Sequence, residues 1–153
     1  MTNLKQRILE IFKEFKTPVN GILKPQSVEG RIRNWDRRSQ DEANDALNEL
    51  ISDGYIGLKD SWYTLTQKGY NHLNEDYSIT DTEDIILDFL KSRNLKSGYV
   101  IMPNWFNSLL TKLDRVHFDN FYTALQNVID NGIIEVRSNN DMFFTQKGYD
   151  TLY

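Results

Sequence analysis

The sequence predicts an α+β protein that is mainly helical and consists of two tandem copies of one domain, at residues 1–77 and 78–153. Two observations support this prediction. The segment TQKGY occurs twice, at residues 66–70 and again at 145–149. Each occurrence also closes the same predicted order of helices and strands. A repeat of this length indicates a duplicated structural unit.

The similarity between the copies extends well beyond these five letters. An offset of 78 residues aligns ALNELISDGYI, which starts at Ala46, with ALQNVIDNGII, which starts at Ala124. At TQKGY the offset becomes 79, so the second copy has gained one residue between Gly132 and Thr145. A hairpin turn predicted in this interval can accommodate the insertion.

The first copy begins with a helix, because apolar residues recur at helical spacing. These residues are Leu4, Ile8, Ile11, Phe12 and Phe15. Turn-forming residues at 17–21 end the helix, and residues 22–23 form a short strand. A second helix follows and places three apolar residues on one face, namely Val28, Ile32 and Trp35.

The rest of the first copy contains two further helices and a hairpin. Ser39 begins the sequence S-Q-D-E, a capping box that opens the third helix. The buried stripe of this helix consists of Ala43, Ala46, Leu47, Leu50 and Ile51. Gly54 ends the helix. Residues 55–58 and 62–65 then pair as a hairpin around 59–61, and TQKGYNHL begins a closing helix.

The second copy repeats this order. A capping box at residues 80–83 precedes its first helix, and residues 99–102 form the short strand. The second helix carries Trp105, Phe106, Leu109, Leu110 and Leu113. The third carries Phe118, Phe121, Leu125, Val128 and Ile129, and it ends at Gly132. Residues 133–137 and 142–145 pair as the hairpin, and the second TQKGY opens the last helix.

Helix, short strand, helix, helix, hairpin, helix is the element order of a winged helix. The segments ALNELISDGYIGLKDSWYTLTQKGYNHL and ALQNVIDNGIIEVRSNNDMFFTQKGYDTLY resemble the third helix and wing of winged helix-turn-helix regulators. In that superfamily an L-T-x-x-G-type segment follows the wing and starts the next helix. The resemblance covers both copies. It implies the fold more specifically than the function, since winged helices serve many roles.

TQKGY itself is predicted to be mainly structural. Its threonine caps the closing helix, its glycine allows close approach of a neighbouring segment, and its tyrosine packs against the core. These residues are Thr66, Gly69 and Tyr70 in the first copy and Thr145, Gly148 and Tyr149 in the second. For Lys68 and Lys147 two interpretations stay open: contact with phosphate beside the wing, or simple exposure to solvent.

Composition argues against an enzyme. The chain has no Cys and only two His, His72 and His117, at non-equivalent positions of the two copies. Neither lies in a metal-ligand spacing, and no phosphate-binding glycine motif or nucleophile elbow is present. No apolar run reaches the roughly 18 residues of a membrane span. We therefore expect a cytoplasmic, non-enzymatic protein without a cofactor, a metal or a membrane partner.

Charge gives conflicting indications about DNA. The net charge is −4, and the exposed face predicted for the first copy's third helix is mostly acidic. That face comprises Asp41, Glu42, Asn44, Asp45, Asn48, Glu49 and Asp53. A basic cluster around Trp35 precedes it and comprises Arg31, Arg33, Arg37 and Arg38. These arginines either contact phosphates or pair with the neighbouring acids Asp36, Asp41, Glu42 and Asp45.

The second copy's third helix is more compatible with DNA, because it exposes amides and a hydroxyl that can read base edges. The candidates are Asn120, Thr123, Gln126 and Asn127, with Tyr122 exposed among them. The alternative is that these are ordinary helix residues exposed to solvent. The resemblance to regulators therefore implies a DNA-associated protein, either a monomer or a homodimer.

The alternative is a protein adaptor, because acidic tandem winged helices also resemble those of chromosome-organising and membrane-sorting complexes. Trp105 fills a seam between the copies, lies in its own core, or anchors a partner. Trp62 is a second candidate for partner binding.

Overall fold

A computed structural model describes residues 1–153, and the chain divides into two compact units, Met1–Asp76 (the first unit) and Tyr77–Tyr153 (the second unit). The first contains α1 (Asn3–Glu14), β1 (Ile22–Leu23), α2 (Pro25–Ile32), α3 (Arg37–Ser52), β2 (Ile56–Lys59), β3 (Trp62–Leu65) and α4 (Gln67–Leu73). The second contains α5 (Ile79–Ser92), β4 (Val100–Ile101), α6 (Trp105–Leu110), α7 (Arg115–Asp130), β5 (Ile134–Val136), β6 (Met142–Phe144) and α8 (Gln146–Leu152). The predicted α+β, mainly helical class is confirmed.

Each unit has one antiparallel sheet of three strands, in the order β1-β3-β2 and β4-β6-β5. The later strand of each hairpin is therefore central. In the first sheet Thr64 lies opposite Ile22 on one side and Gly57 on the other. In the second, Phe143 lies between Val100 and Glu135. Since side chains alternate across a strand, each set of three shares one face of its sheet.

Each unit has its own apolar core, formed by the inner faces of its helices and sheet. The first core includes Ile8, Leu9, Ile11, Phe12, Leu23, Val28, Ala46, Leu47, Leu50, Ile56 and Leu65. The second includes Ile86, Leu90, Leu95, Ile101, Phe106, Leu113, Phe121, Ala124, Leu125, Val128, Ile133, Ile134, Met142 and Phe144. Burial of these side chains supplies the main driving force for folding each unit.

Two helices start earlier than predicted. The N-cap of α3 is Asp36, whose carboxylate accepts a hydrogen bond from the Ser39 backbone N–H at 3.0 Å. The capping box of α5 is formed by Ser78 and Asp81, not by residues 80–83. In both cases an acceptor just upstream satisfies the free N–H groups first, so the predicted capping boxes at Ser39 and at 80–83 were wrong.

Three apolar residues lie in different environments from those predicted. α2 ends at Ile32, so Trp35 lies in the link to α3, although it still packs against the core with the Arg7 guanidinium 4.1 Å from its ring centre. Leu113 likewise follows α6 but is buried. Phe118 lies on α7 as predicted but is 43% exposed, so it does not follow the buried stripe predicted for the equivalent helix of the first copy.

The closing helices are capped as predicted. Thr66 Oγ1 accepts a hydrogen bond from Gly69 N–H at 3.1 Å, and Thr145 Oγ1 accepts one from Gly148 N–H at 2.9 Å. Both glycines are buried at close approaches, because a Cβ on Gly69 would collide with the Tyr55 carbonyl oxygen and one on Gly148 would lie 2.8 Å from the Ile133 oxygen.

The two tyrosines that follow these glycines differ. Tyr70 packs against the first core as predicted. Tyr149 is 42% exposed, and its ring lies 5.4 Å from the ring of Tyr153, so the prediction for Tyr149 was wrong. The repeated segment therefore determines where the closing helix starts in both units. Its tyrosine packs against the core in the first unit only.

Candidate functional site

The outer faces of the third helices, α3 and α7, were the predicted interaction surfaces. On α3 and its C-cap, seven polar residues are all exposed: Asp41, Glu42, Asn44, Asp45, Asn48, Glu49 and Asp53. Five of the seven carry a carboxylate. Lys5 of α1 lies beside this face, with its ammonium 2.6 Å from Glu49, and this hydrogen bond raises the pKa of Lys5. The outer face of α3 therefore repels a phosphate backbone.

Most of the predicted arginine cluster is paired within the first unit. The Arg37 guanidinium lies 3.1 Å from Asp41, and that of Arg38 lies 2.9 Å from Glu42, both one turn along α3. Arg31 instead pairs with Glu14 of α1, at 2.9 Å. The side chain of Arg33 is exposed and has no carboxylate partner. Most of the positive charge of the cluster is therefore neutralised by carboxylates of the first unit.

The four polar candidates on α7 are only partly available. Asn120 is half-buried, and its amide donates a hydrogen bond to the Val116 carbonyl at 2.8 Å. The Gln126 amide donates to Asp130 at 2.8 Å. Thr123 is exposed and Asn127 is half-buried. Base reading by Asn120 or Gln126 would therefore require that amide to leave its present acceptor.

α7 also exposes two aromatic side chains: Tyr122, which the sequence had already placed on the exposed face of this helix, and Phe118, which the sequence had not assigned to a site. Phe118 is 43% exposed and Tyr122 is 71% exposed, and they lie one turn apart; we call this pair the aromatic face of α7. The Arg115 guanidinium lies 4.8 Å from the centre of the Phe118 ring and pairs with Asp119 at 2.8 Å. Because the spacing of Phe118 also fits a buried stripe, the sequence alone gave no signal of its exposure.

The two TQKGY lysines lie at the carboxyl ends of the third helices. The Lys68 ammonium donates a hydrogen bond to the Asp53 carbonyl at 2.7 Å and lies 4.3 Å from the Tyr55 ring centre. The Lys147 side chain passes Gly132, where a Cβ would lie 3.3 Å from Lys147 Cδ. Cations are favourable at this end of a helix because its free carbonyls carry partial negative charge.

The two tryptophan candidates differ in exposure. Trp105 is half-buried against the second core, and the Arg93 guanidinium lies 4.5 Å from its ring centre. Trp62 is 37% exposed at the start of β3, with the Lys24 ammonium 5.5 Å from its ring centre. The Trp62 side chain therefore offers more apolar surface to a partner than a core residue would.

Both histidines are half-buried and contact polar groups of their own unit. His72 Nε2 lies 2.8 Å from the Gln6 side-chain oxygen, and His117 Nδ1 lies 2.8 Å from Oγ1 of the buried Thr82. The structure contains no group of three or more His, Cys, Asp or Glu residues that could hold a metal ion. It also contains no helix whose length and apolar character would allow it to cross a membrane.

Comparisons with protein-family models, with curated proteins and with solved structures found no match for this chain. The function is therefore inferred from the surfaces themselves.

Proposed function

We propose that this chain is a non-enzymatic protein-binding adaptor built from two winged-helix units, and that its partner binds the aromatic face of α7. The observation that carries the proposal is the exposure of Phe118 and Tyr122 one turn apart on one helix. The element order and strand order common to the two units support the winged-helix assignment.

Exposed aromatic residues of this kind are suited to a protein interface. Large rings bury much apolar area with little loss of conformational freedom, and aromatic residues with arginine dominate interface hot spots. Here Arg115 lies against Phe118, and Tyr122 follows one helical turn later, so the three side chains lie along one stripe of α7. The equivalent helix of the first unit has only polar residues on its outer face, which makes the aromatic pair a feature of the second unit alone.

Electrostatics favour a protein over DNA as the partner. Residues 1–78 carry 11 Lys and Arg against 12 Asp and Glu, and residues 79–153 carry 7 against 10, so neither unit is basic. The acids on α3 oppose phosphate contact, and the arginines beside them are largely paired. Since phosphate attraction supplies most non-specific affinity for DNA, an acidic third helix is poorly suited to it.

The test places a photo-crosslinking amino acid at Tyr122 in the full chain, expressed in cells of the source organism. We expect a discrete crosslinked protein that is absent when the same group is placed at Asn44, the equivalent position on α3. Adding Phe118→Ser to the chain that carries the crosslinker at Tyr122 should abolish the crosslink, with circular dichroism confirming the fold. Equal crosslinking from Asn44 and Tyr122 would contradict the proposal.

DNA association is a second candidate, favoured by one observation. The side chains of Arg37 and Arg38 are 84% and 87% exposed at the start of α3, the part of a third helix that meets DNA in this fold. Exposed pairs one helical turn apart contribute only about 0.3–0.5 kcal/mol, so phosphates could displace their carboxylates.

This candidate is tested by fluorescence anisotropy with a random-sequence duplex over a salt series. A nucleic-acid role requires affinity that falls steeply with salt and is lost when Arg31, Arg33, Arg37 and Arg38 are replaced by Ala. Salt-independent binding, or equal binding by this variant, would count against direct phosphate contact at the cluster.

A further inference from the structure

We propose that the outer sheet face of the first unit, formed by Ile22, Lys59 and Trp62 with Lys24 beside them, binds an acidic peptide segment that carries one large apolar side chain. This surface shares no residue with the aromatic face of α7, and the proposal does not depend on the function assigned to that helix.

The apolar part of the site is a cleft of about 360 Å³ lined by Ile22, Lys59, Asp60 and Trp62. Ile22 is 50% exposed and Trp62 is 37% exposed. Gly57 lies on the same face and contributes no side chain, and a Cβ there would lie 2.8 Å from Thr64 Oγ1. The cleft is at the small end of the volumes typical of binding clefts, which fits one anchoring side chain.

The polar part of the site is positively charged within an acidic protein. Lys24 and Lys59 form no ion pair with a carboxylate, whereas Lys5, Arg31 and Arg37 of the same unit do. The Lys24 ammonium lies 5.5 Å from the Trp62 ring centre, and Lys59 lies directly opposite Trp62 in the hairpin. One carboxylate, Asp60, lines the cleft. The charge that complements two lysines at the margins of an apolar cleft is that of an acidic ligand.

The hairpin turn holds the two sides of the cleft in a fixed relation. Asp60 and Ser61 have φ values of 52° and 68°, so two non-glycine residues occupy the left-handed region in a two-residue turn. This turn geometry matches the twist of the flanking strands and fixes their register. Because the register is fixed, the backbone positions of Lys59 and Trp62 are preorganised, so no backbone entropy need be lost there on binding.

The chemistry of the face favours a peptide over a nucleic acid. The phosphate backbone of a single-stranded nucleic acid needs a continuous row of basic side chains. This face has only two lysines, and an aspartate lies beside them. A second copy of this chain is a weaker fit. Its acidic α3 face could meet the lysines, but that face is polar throughout and has no large apolar side chain to fill the cleft.

The experiment uses the full chain and a fluorescein-labelled peptide, Gly-Asp-Asp-Phe-Asp-Asp-Gly, in an anisotropy titration. Two control peptides replace the phenylalanine by alanine or the aspartates by asparagines. We expect saturable binding of the acidic phenylalanine peptide and about tenfold weaker binding of each control, since each lacks one of the two recognition elements.

The protein variants localise the binding. Lys24→Gln with Lys59→Gln should weaken binding about tenfold, whereas Lys91→Gln with Lys112→Gln, which removes the same charge from exposed sites of the second unit, should not. Trp62→Ala should also weaken it, with circular dichroism confirming the fold.

Four outcomes would overturn the proposal. The first is the absence of saturable binding up to about 1 mM peptide. The second is an equal loss of affinity in the two double-lysine variants. The third is displacement of the peptide by single-stranded DNA with higher affinity for the same face. The fourth is self-association of the chain, measured by light scattering, that Lys24→Gln with Lys59→Gln abolishes.

Discussion

The two units place side chains of different size at equivalent positions of the third helix. α3 buries Ala43 at 3% exposure, whereas α7 buries Phe121 at 0% exposure, 78 residues later. The first helices differ in the opposite sense, with Phe12 in α1 and Leu90 in α5, both fully buried. Leucine is only slightly smaller than phenylalanine, whereas alanine is much smaller, so this exchange leaves the second unit with the larger pair of side chains.

The exchange has a consequence for the surface of the second unit. Phe89, Phe106 and Phe121 form an aromatic row, with ring centres 5.7 and 5.6 Å apart. Tyr122 continues it to the outside, at 5.4 Å from Phe121. The equivalent residues of the first unit are Ile11, Val28, Ala43 and Asn44. One order of elements therefore supports an aromatic outer face in one unit and an acidic one in the other.

The largest expected effect comes from removing the centre of this row. Phe121→Ala should lower the free energy of unfolding of the second unit by about 4 kcal/mol, because a fully buried ring leaves a cavity. Denaturant unfolding followed by Trp105 fluorescence, in a chain with Trp35 and Trp62 replaced by Phe, reports on this unit. Tyr122→Ala is the control and should cost only about 0.5 kcal/mol. Equal losses of unfolding free energy in Phe121→Ala and Tyr122→Ala would show that the aromatic row does not stabilise the core.

Glycine substitutions test whether the closing helices are packed equally tightly in the two units. Gly69→Ala should cost about 3 kcal/mol and Gly148→Ala about 2 kcal/mol, since overpacking against backbone cannot relax easily. The Gly69 substitution meets the Tyr55 carbonyl more closely than the Gly148 substitution meets that of Ile133. Gly30→Ala in α2 meets no atom within 4 Å and should be neutral or stabilising. Urea unfolding curves measure all three, and destabilisation by Gly30→Ala alone would refute this account.

The two threonine caps should contribute equally to the stability of their units, because the segment TQKGY is identical in both. Thr66 Oγ1 can donate to the Gly54 carbonyl at 2.6 Å while it accepts from Gly69 N–H, and Thr145 holds the same position. Thr66→Ala and Thr145→Ala should each cost about 1–2 kcal/mol, and serine should restore most of it. Chemical denaturation of the four variants gives the values. A cost in only one unit would mean that the caps are not equivalent.

The sequence predicted what is specified locally. The order of elements, the threonine caps and the close approach at the two glycines follow from spacing and from residue types that act over a few positions. The true cap of α3 was also present as a repeat, since Asp36-Arg37 aligns with Asp114-Arg115, but Ser39 offered a more familiar capping pattern.

Features that depend on packing between elements were not predictable in this way. The partner of Arg31 is Glu14, 17 residues earlier, which no local pattern indicates. Phe118 has helical spacing to Phe121 yet is exposed. Tyr149 lies outside the second core, although the equivalent Tyr70 packs against the first core. Identical local sequence thus gave different burial, because the neighbours that cover a side chain come from distant parts of the chain.

The smallest expected difference between the units concerns the caps of their third helices at low pH. The Asp36 carboxylate accepts hydrogen bonds from the Ser39 backbone N–H at 3.0 Å and from Ser39 Oγ at 2.7 Å, whereas the side chain of Asp114 makes no capping bond. These bonds, the backbone bond first, lower the pKa of Asp36 below its ordinary value of 3.8. A carboxyl whose pKa is lower in the folded state stabilises that state above the unfolded pKa.

That stabilisation should disappear as the pH falls through the folded pKa of Asp36, so the window to examine runs from about pH 5 to about pH 2. Asp36→Asn keeps a good N-cap but cannot titrate, and it should flatten the pH dependence of stability in the first unit. Asp114→Asn should leave the slope of the second unit unchanged. Urea unfolding read by Trp35 and Trp62 fluorescence in one case and by Trp105 in the other measures both slopes. If Asp36→Asn and Asp114→Asn change the pH slope of stability equally in their units, the capping bond of Asp36 does not account for a difference between the units.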